Sequence, residues 1–428
     1  METLSIVGVF ILTLFLGMPI AFVLGITGLV MVLFIDVPLV VLPNRMWSQL
    51  GTFPFLAVPF FILAGEIMNE AGITQRLVSF ANLLVGRIRG GLGQVNIIAS
   101  MLFAGITGSA IGDTAALGSI MIPAMEKEGY DKDFSVAVTA SSSIIGPIIP
   151  PSLLMIILGV AAEQSIGTLF VAGYVPGILI GVSLMILTYF ISIKRNYTFR
   201  AERTSFRQGL IIFRKALIPL LMPIIIIVGI LAGIFTATEA AAVACVYALF
   251  VGLFVTKTLK LKRLPDLFIR SALLTASLHL IVSMSGISGF AVTVLQLAEK
   301  MSAAVTQFST NPFVILLLLN IVLLIIGMFM EPTVSIIILV PILFPMIEAL
   351  GIHPVHFGII MLMNLTIGVA TPPLGLVLFT ASSVGKIPVE RVVMAIWPFL
   401  LIEFVVLLLI TYIPALTLTI PRWLGLLA

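Results

Sequence analysis

Cysteine is almost missing from this chain. Its 428 residues hold one, Cys245, inside the apolar run Ala240–Val255, so neither an intrachain disulfide nor a cysteine-built metal site can form. Cys245 reads as a small buried hydrophobe. Histidine is nearly as scarce, with only His279, His353 and His356, and no His/Glu metal motif, Ser/His pairing or two-Asp constellation is present. Charge is short too. Only 9% of residues are charged, against about 25% in a water-soluble protein, so no soluble domain could be surfaced with this chain. The formal net charge of +4 comes from loop Lys and Arg and describes no nucleic-acid surface. The start, Met1-Glu2-Thr3-Leu4, lacks a positive n-region and a cleavage site, which predicts a retained first span.

What the chain does have is apolar length. It is 61% hydrophobic, its mean hydropathy is +1.27, and apolar stretches of 18 or more residues recur. Continuous apolar runs exclude a β-barrel, and lipid forces backbone hydrogen bonds to close within a helix. An all-α polytopic membrane protein of about 11 to 12 full or broken spans is expected. Residues 4–35, with Pro19 inside, make one kinked span or two short ones. A span at 53–71 carries Glu66, and the mixed stretch 73–89 suits a helix lying along the membrane surface. Further spans fall at 168–193, 216–234, 237–256 with Glu239, 268–305 as one or two around Gly286 and Gly289, and 392–413 before a short tail. Lys194, Arg195, Arg200, Arg203, Arg207, Arg214 and Lys215 make the 194–215 loop cytoplasmic; Lys257, Lys260, Lys262 and Arg263 do the same for the next loop. These basic runs orient the chain and meet lipid headgroups.

Two stretches repeat each other at an offset of 222 residues, without a gap. Gly105 meets Gly327, Pro123 meets Pro345, Glu126 meets Glu348, Gly129 meets Gly351, Gly146 meets Gly368, and Pro150-Pro151 meets Pro372-Pro373. Matches among Gly, Pro and Glu in one register indicate an internal duplication serving one geometry. In each copy two apolar helices flank a polar, glycine-containing break, Thr107–Asp113 in the first and Gly327–Thr333 in the second. At about 20–24 Å each, the helices at 92–106 and 114–127 fall short of the ~30 Å hydrocarbon core. Re-entrant hairpins at 91–128 and 313–349 follow. Each is succeeded by a broken span, at 132–162 and 355–384. Pro332 suits the first position of a helix, where its missing amide does no harm.

Unwound helix inside a membrane frees carbonyls for a hard cation, adds hydroxyls to that shell, and aims helix N-termini at an anion. The first hairpin offers Thr107, Ser109 and Asp113, and its broken span Ser141, Ser142, Ser143 and Gly146. The second offers Glu331, Thr333 and Ser335, and its broken span Asn364, Thr366, Gly368 and Thr371. Two oxygen-lined cation shells flanking one cleft are expected, and sodium fits oxygen-only ligation. Thr107, Ser109, Asp113, Ser141, Glu331, Thr333 and Asn364 are the candidates for solute contact. The bland alternative is that Ser and Thr bond back to a carbonyl or to a neighbouring helix, and that Asp113 caps the second half-helix. Glu331 stands out as an acid at membrane depth; Glu66 and Glu239 are similar but isolated, and Glu126 and Glu348 belong near the hairpin mouths. Met328, Met330, Met361 and Met363 read as lining or packing.

Six segments resemble the large membrane subunit of TRAP (tripartite ATP-independent periplasmic) transporters, in the ion-transporter superfamily. They are Pro59-Phe60-Phe61-Ile62-Leu63-Ala64-Gly65, Gly108-Ser109 through Gly118-Ser119-Ile120-Met121-Ile122-Pro123-Ala124-Met125, Gly129-Tyr130, Ile149-Pro150-Pro151-Ser152, Gly351-Ile352-His353-Pro354-Val355-His356-Phe357-Gly358, and Thr371-Pro372-Pro373-Leu374-Gly375. The likeness covers nearly the whole chain. It implies two inverted repeats, an elevator-type transport domain in a scaffold, and a multi-pass place in a prokaryotic inner membrane. It further implies sodium-coupled import of an organic anion, such as a C4-dicarboxylate or a sialic or other sugar acid. The implied partners are a periplasmic binding protein and a small four-span subunit, expected here as a separate chain; no cofactor beyond the coupling ion is implied. The implied sodium ligands are Gly108, Ser109, Ser142, Ser143, Gly146, Gly327, Thr333, Gly368 and Thr371. The tip reads Thr107-Gly108-Ser109 where Ser-Gly-Ser is frequent in the family, and the tip hydroxyl is kept. The expected division is 90–163 and 306–385 as the transport domain, with 1–89, 164–305 and 386–428 as scaffold. Proton coupling through Asp113 or Glu331, and symport without a binding protein, are the alternatives on the same fold; a membrane-embedded enzyme lacks its residues.

Overall fold

The computed structural model describes residues 2–35, 37–51, 53–197, 205–296, 299–300, 309 and 311–427. Arg200 and Arg203 of the first basic loop, and the end of the expected 268–305 span, lie outside the described residues. The described residues are helical, with no strand. The chain opens with α1 (Glu2–Phe15) and α2 (Ile20–Ile35), two short helices separated at Gly17 and Pro19 rather than one kinked span. Then come α3 (Val41–Leu50), α4 (Ala57–Glu70) and α5 (Ile73–Val85). The last is the amphipathic helix expected at 73–89; it buries Ile73, Leu77, Phe80 and Ala81.

The first repeat follows as α6 (Gly91–Thr107), α7 (Ala110–Lys127), α8 (Lys132–Ser143), α9 (Leu153–Ala161) and α10 (Ile166–Lys194). Three helices then intervene: α11 (Phe206–Leu231), α12 (Ala237–Phe250) and α13 (Leu264–Val294). The second repeat is α14 (Pro312–Phe329), α15 (Pro332–Ala349), α16 (Pro354–Gly368), α17 (Leu376–Gly385) and α18 (Val389–Tyr412), with α19 (Ala415–Trp423) at the end. Seven of the described helices are long and apolar enough to cross a membrane. Shifted by 222, α7 falls on α15 residue for residue, and both diproline bonds, Pro150-Pro151 and Pro372-Pro373, are cis.

Of the one or two spans expected around Gly286 and Gly289, the described residues form one: α13 runs 31 residues without a break, and a side chain at Gly286 would collide with Gln49 and the Arg45 carbonyl of α3. Gly286 therefore serves close helix packing. The stretch 257–270, which reads from its sequence as a second surface helix, is instead a connector with one tight turn at Leu261–Arg263 that leads straight into α13. The short tail forms α19, which buries Thr417, Leu418 and Pro421 against α10 and α16.

Contacts between helix ends fix the relation of the repeats. Asp131, just before α8, bonds Arg195 at the end of α10 (2.7 Å). Asp133 in the first turn of α8 bonds Arg391 in the first turn of α18 (2.7 Å). At the other end of the molecule, His356 in the first turn of α16 bonds Thr417 Oγ1 (2.8 Å) and lies 3.3 Å from the Thr411 carbonyl at the end of α18. Equivalent helices α8 and α16 therefore start on opposite faces, and α10 and α18 run antiparallel. The repeats are inverted. Lys194 and Arg195 mark the starting face of α8 as cytoplasmic.

The hairpin arms are longer than their apolar cores suggested. Arms of 17 and 18 residues reach about 26–27 Å, because helix continues to within two residues of each tip. The second hairpin crosses its broken helix with almost no space between backbones: a Cβ on Gly368 would sit 2.6 Å from Gly327 Cα, and one on Gly327 2.9 Å from the Leu365 carbonyl oxygen. Overpacking costs roughly 1–3 kcal/mol. Gly368→Ala should therefore lower the unfolding temperature of the detergent-purified protein, while Gly8→Ala, where nothing lies within 4 Å, should not. Equal melting of the two variants would show that this crossing has slack.

The cytoplasmic tie has a pH signature. The Tyr197 phenol donates to Asp131 Oδ2 at 2.7 Å. That bond first, then Arg195, holds the Asp131 carboxyl below its ordinary value of 3.8, against slight burial. Partial burial first, then the bond to Asp131, pushes the Tyr197 phenol up to about 12. A carboxyl lowered by folding stabilises at neutral pH, and the contribution fades as pH falls through the lowered range. The pair is exposed, so about 0.2–1 kcal/mol is at stake. Asp131→Asn should be less stable than wild type at pH 7, with the gap closing below pH 3.8. A gap of constant size from pH 7 to pH 3 would contradict this.

Candidate functional site

Each hairpin tip is built by a stop signal and a start signal placed back to back. Gly108 ends α6 in the left-handed region (φ +59), and Ser109 then starts α7, its hydroxyl accepting the Gly112 amide at 3.2 Å. A hydroxyl or carboxylate at this position satisfies amides that a helix start leaves unpaired. In the second hairpin Glu331 stands at the equivalent position. Its carboxylate accepts the Val334 amide (3.2 Å) and the Thr333 hydroxyl (2.8 Å), and Pro332 opens α15 as expected. The breaks are shorter than the sequence suggested, two residues each, because Ile111, Gly112 and Asp113 already belong to α7.

The two tips meet. Gly108, Ser109, Ala110 and Ile111 of the first and Glu331, Pro332 and Thr333 of the second line one cavity of about 70 Å³. Pro147, Leu153 and Leu154 close it from the first broken span, and Thr366 and Val369 from the second. Hairpins that enter from opposite faces and stop at one internal cavity are re-entrant. The N-terminal turns of α7, α9 and α15 all border this cavity and bring partial positive charge to it. Its volume corresponds to about two waters. That accommodates a cation and its oxygens.

Of the remaining candidates only Thr366 lines the cavity. Asp113 is buried one turn into α7 and is not the cap. Its carboxylate lies against Gly146 so closely that any Cβ at 146 would overlap Oδ2. The three consecutive serines at the end of α8 fan out to three helices. Ser141 donates to Glu403 of α18, Ser142 accepts from Ser100 of α6 (2.9 Å), and Ser143 bonds Thr114 of α7. Asn364 donates to Asn320 of α14 (2.7 Å), which donates to Thr411 of α18 (3.0 Å), a buried ladder through the second repeat. Thr371 and Thr366 bond back to the carbonyls of Ile367 and Leu362, both at 2.8 Å. Gly327 and Gly368 press backbone on backbone. The Thr107 side chain lies outside the described residues.

Other polar residues find structural work. Glu239 closes a capping box on Thr236, His353 caps α16, and Cys245 donates to the Phe60 carbonyl. Glu403 is missing from the residues named on sequence grounds. It is fully buried in the middle of α18. The signal was present in Leu401-Ile402-Glu403-Phe404-Val405, one acid inside an apolar span.

Residues 7–416 match the family model of the tripartite ATP-independent periplasmic transporter, DctM component. The chain belongs to the DctM family of TRAP transporter large permeases. This DctM-family chain is 41% identical over 403 residues to the C4-dicarboxylate TRAP transporter large permease protein DctM of Pseudomonas aeruginosa, covering 94% of each. It is 42% identical over 418 residues to the sialic acid TRAP transporter large permease protein SiaM of Vibrio cholerae, covering 96% of each. Among solved structures, the Alcanivorax borkumensis YdaH transporter shares its fold at a TM-score of 0.61 and 16% identity, over 89% of this chain and 87% of that one. The DctM-family chain is thus a multi-pass inner-membrane transport subunit and not an enzyme.

Proposed function

We propose that this large permease imports an organic anion by coupling it to sodium, and that a soluble extracytoplasmic binding protein delivers the solute. The observation that carries the reading is the single cavity between the two hairpin tips, where Ser109 and Glu331 stand at equivalent positions of the inverted repeats. Helix N-termini from both repeats favour an anion there, and the carbonyls and hydroxyls at the breaks suit a hard cation. The relatives named for C4-dicarboxylate and sialic acid transport support a carboxylate-bearing solute. The ion shells comprise Gly108, Ser109, Ser142, Ser143 and Gly146 on one side and Gly327, Thr333, Gly368 and Thr371 on the other. Sodium at both fixes the tips, and the fixed tips hold the anion. Coupling is then the difference in solute affinity between sodium-loaded and empty states.

The moving unit consists of 90–163 and 306–385. To it we add α10 and α18, which the division given above assigns to the scaffold, because α18 packs on α8, α10, α16 and α17. α2 and α3 each pack on α13, and α4 on α12 and α13. With α5 and α11 they form the brace, and a small four-span subunit stiffens it. Inward movement of the loaded unit past this brace is an elevator step.

The test is uptake of a C4-dicarboxylate and of a sialic acid into vesicles holding this chain and the small subunit, with the binding protein outside. An inward sodium gradient should drive uptake of one of them. Ser109→Ala and Thr371→Ala should each raise the sodium concentration for half-maximal uptake roughly tenfold, equivalent to about 1.4 kcal/mol. Unchanged sodium titrations would remove both hydroxyls from the shells. Uptake driven by a pH gradient without sodium would replace the ion, and uptake without the binding protein would end its proposed role.

A further inference from the structure

Glu403 sits in the middle of α18 with no exposed surface. One carboxyl oxygen accepts the Ser141 hydroxyl. The other has no hydrogen-bond partner among the described residues. None of the four ion pairs among those residues involves it. The charged and titratable groups on the helices packed against α18 have other positions or partners. At the cytoplasmic end of α8, Lys132 pairs with Glu126 and Asp133 with Arg391; at the far end, His356 of α16 bonds Thr411 and Thr417. Tyr174 lies near the start of α10, Tyr189 and Lys194 near its end, and Lys386 just past α17. An acid buried at membrane depth is costly unless paired, so such residues mark ion pathways. Here the partner is not a side chain.

Ser141 places this acid. It is the first of the three serines that end α8, and the next two residues are among the ligands proposed for the first ion shell. From the opposite side of the same break, Asp113 reaches Gly146. Glu403 thus lies directly behind the break, one hydroxyl away from its backbone. The feature belongs to one repeat only: position 403 corresponds to Gly181 of α10 in the first copy, where no carboxyl is possible.

We infer that Glu403 is the fixed negative charge that holds a monovalent cation at the first helix break. It acts as a positioning residue through Ser141, and its second oxygen has no other partner among the described residues. This rests on the reading of the break as a cation shell.

The test is thermal unfolding of the full chain in detergent, titrated with sodium chloride against choline chloride at constant ionic strength, at pH 6, 7 and 8. Wild type, Glu403→Gln, Glu403→Asp and Ser141→Ala are compared. Sodium should raise the wild-type melting temperature, and Glu403→Gln should raise the half-saturating sodium concentration roughly tenfold or more. Glu403→Asp should recover part of the loss, and Ser141→Ala, which keeps the charge, should fall between. A merely structural glutamate would change melting in choline and leave the sodium midpoint where it was; that result overturns the inference, and Ser141→Ala and Glu403→Asp read it if Glu403→Gln does not fold. A wild type blind to sodium but stabilised by acid, with that response lost in Glu403→Gln, keeps the carboxyl as the cation site and identifies the cation as a proton, which ends the sodium reading alone. A wild type that responds to neither cation ends both.

Discussion

Backbone hydrogen bonding in lipid is the constraint on which the rest of this structure depends. A chain that unwinds inside a membrane must find a partner for every amide and carbonyl it releases. The first break does so with tight turns: the amides of Ile144, Ile145 and Gly146 return to the carbonyls of Ser141, Ser142 and Ser143. The second returns Ala370 and Thr371 to Ile367 and Gly368, ties Val377 to Val369, and ties Gly375 to Met328 of the facing hairpin. Prolines at 150, 151, 372 and 373 reduce the problem, having no amide to satisfy. Carbonyls keep a second lone pair after one bond, and that spare capacity is what a desolvated cation can use.

The duplication keeps geometry and relaxes chemistry. Helix starts and diproline turns recur at an offset of 222 residues, because each is a backbone requirement. Side chains within that frame diverge. Ser109 is matched by Glu331, Asp113 by Ser335, and Gly181 by Glu403. Both Ser109 and Glu331 can cap a helix, so the fold tolerates the exchange, but the charge they bring to the shared cavity differs. The inverted pair of frames thus carries unlike side chains to one shared cavity.

Much of the fold was legible from residue order. Pro332 at a helix start, the amphipathic face of 73–85, the broken spans and the cytoplasmic loops follow from local rules about amides, apolar periodicity and charge. What stayed open and what was missed share a cause. One span or two fitted around Gly286 and Gly289; Gly286 sits in an unbroken helix where α3 presses close, and only the neighbour reveals that. Asp113 fitted a cap and a site contact equally; Ser109, four residues earlier, takes the cap position. Glu403 escaped notice because its partner, Ser141, is 262 residues away in sequence.

By itself, the sequence determined that the chain lives in lipid, that it is helical, and that a polar break is written into it twice. These are properties of composition and local spacing, and each residue reports them alone. Tertiary structure decided that the repeats are inverted, that their tips share one cavity, that three adjacent serines serve three different helices, and that a lone glutamate stands behind the first break. Those facts depend on which distant segments lie against one another, and in a chain where nearly every face is apolar, hydrophobic pattern does not encode that choice.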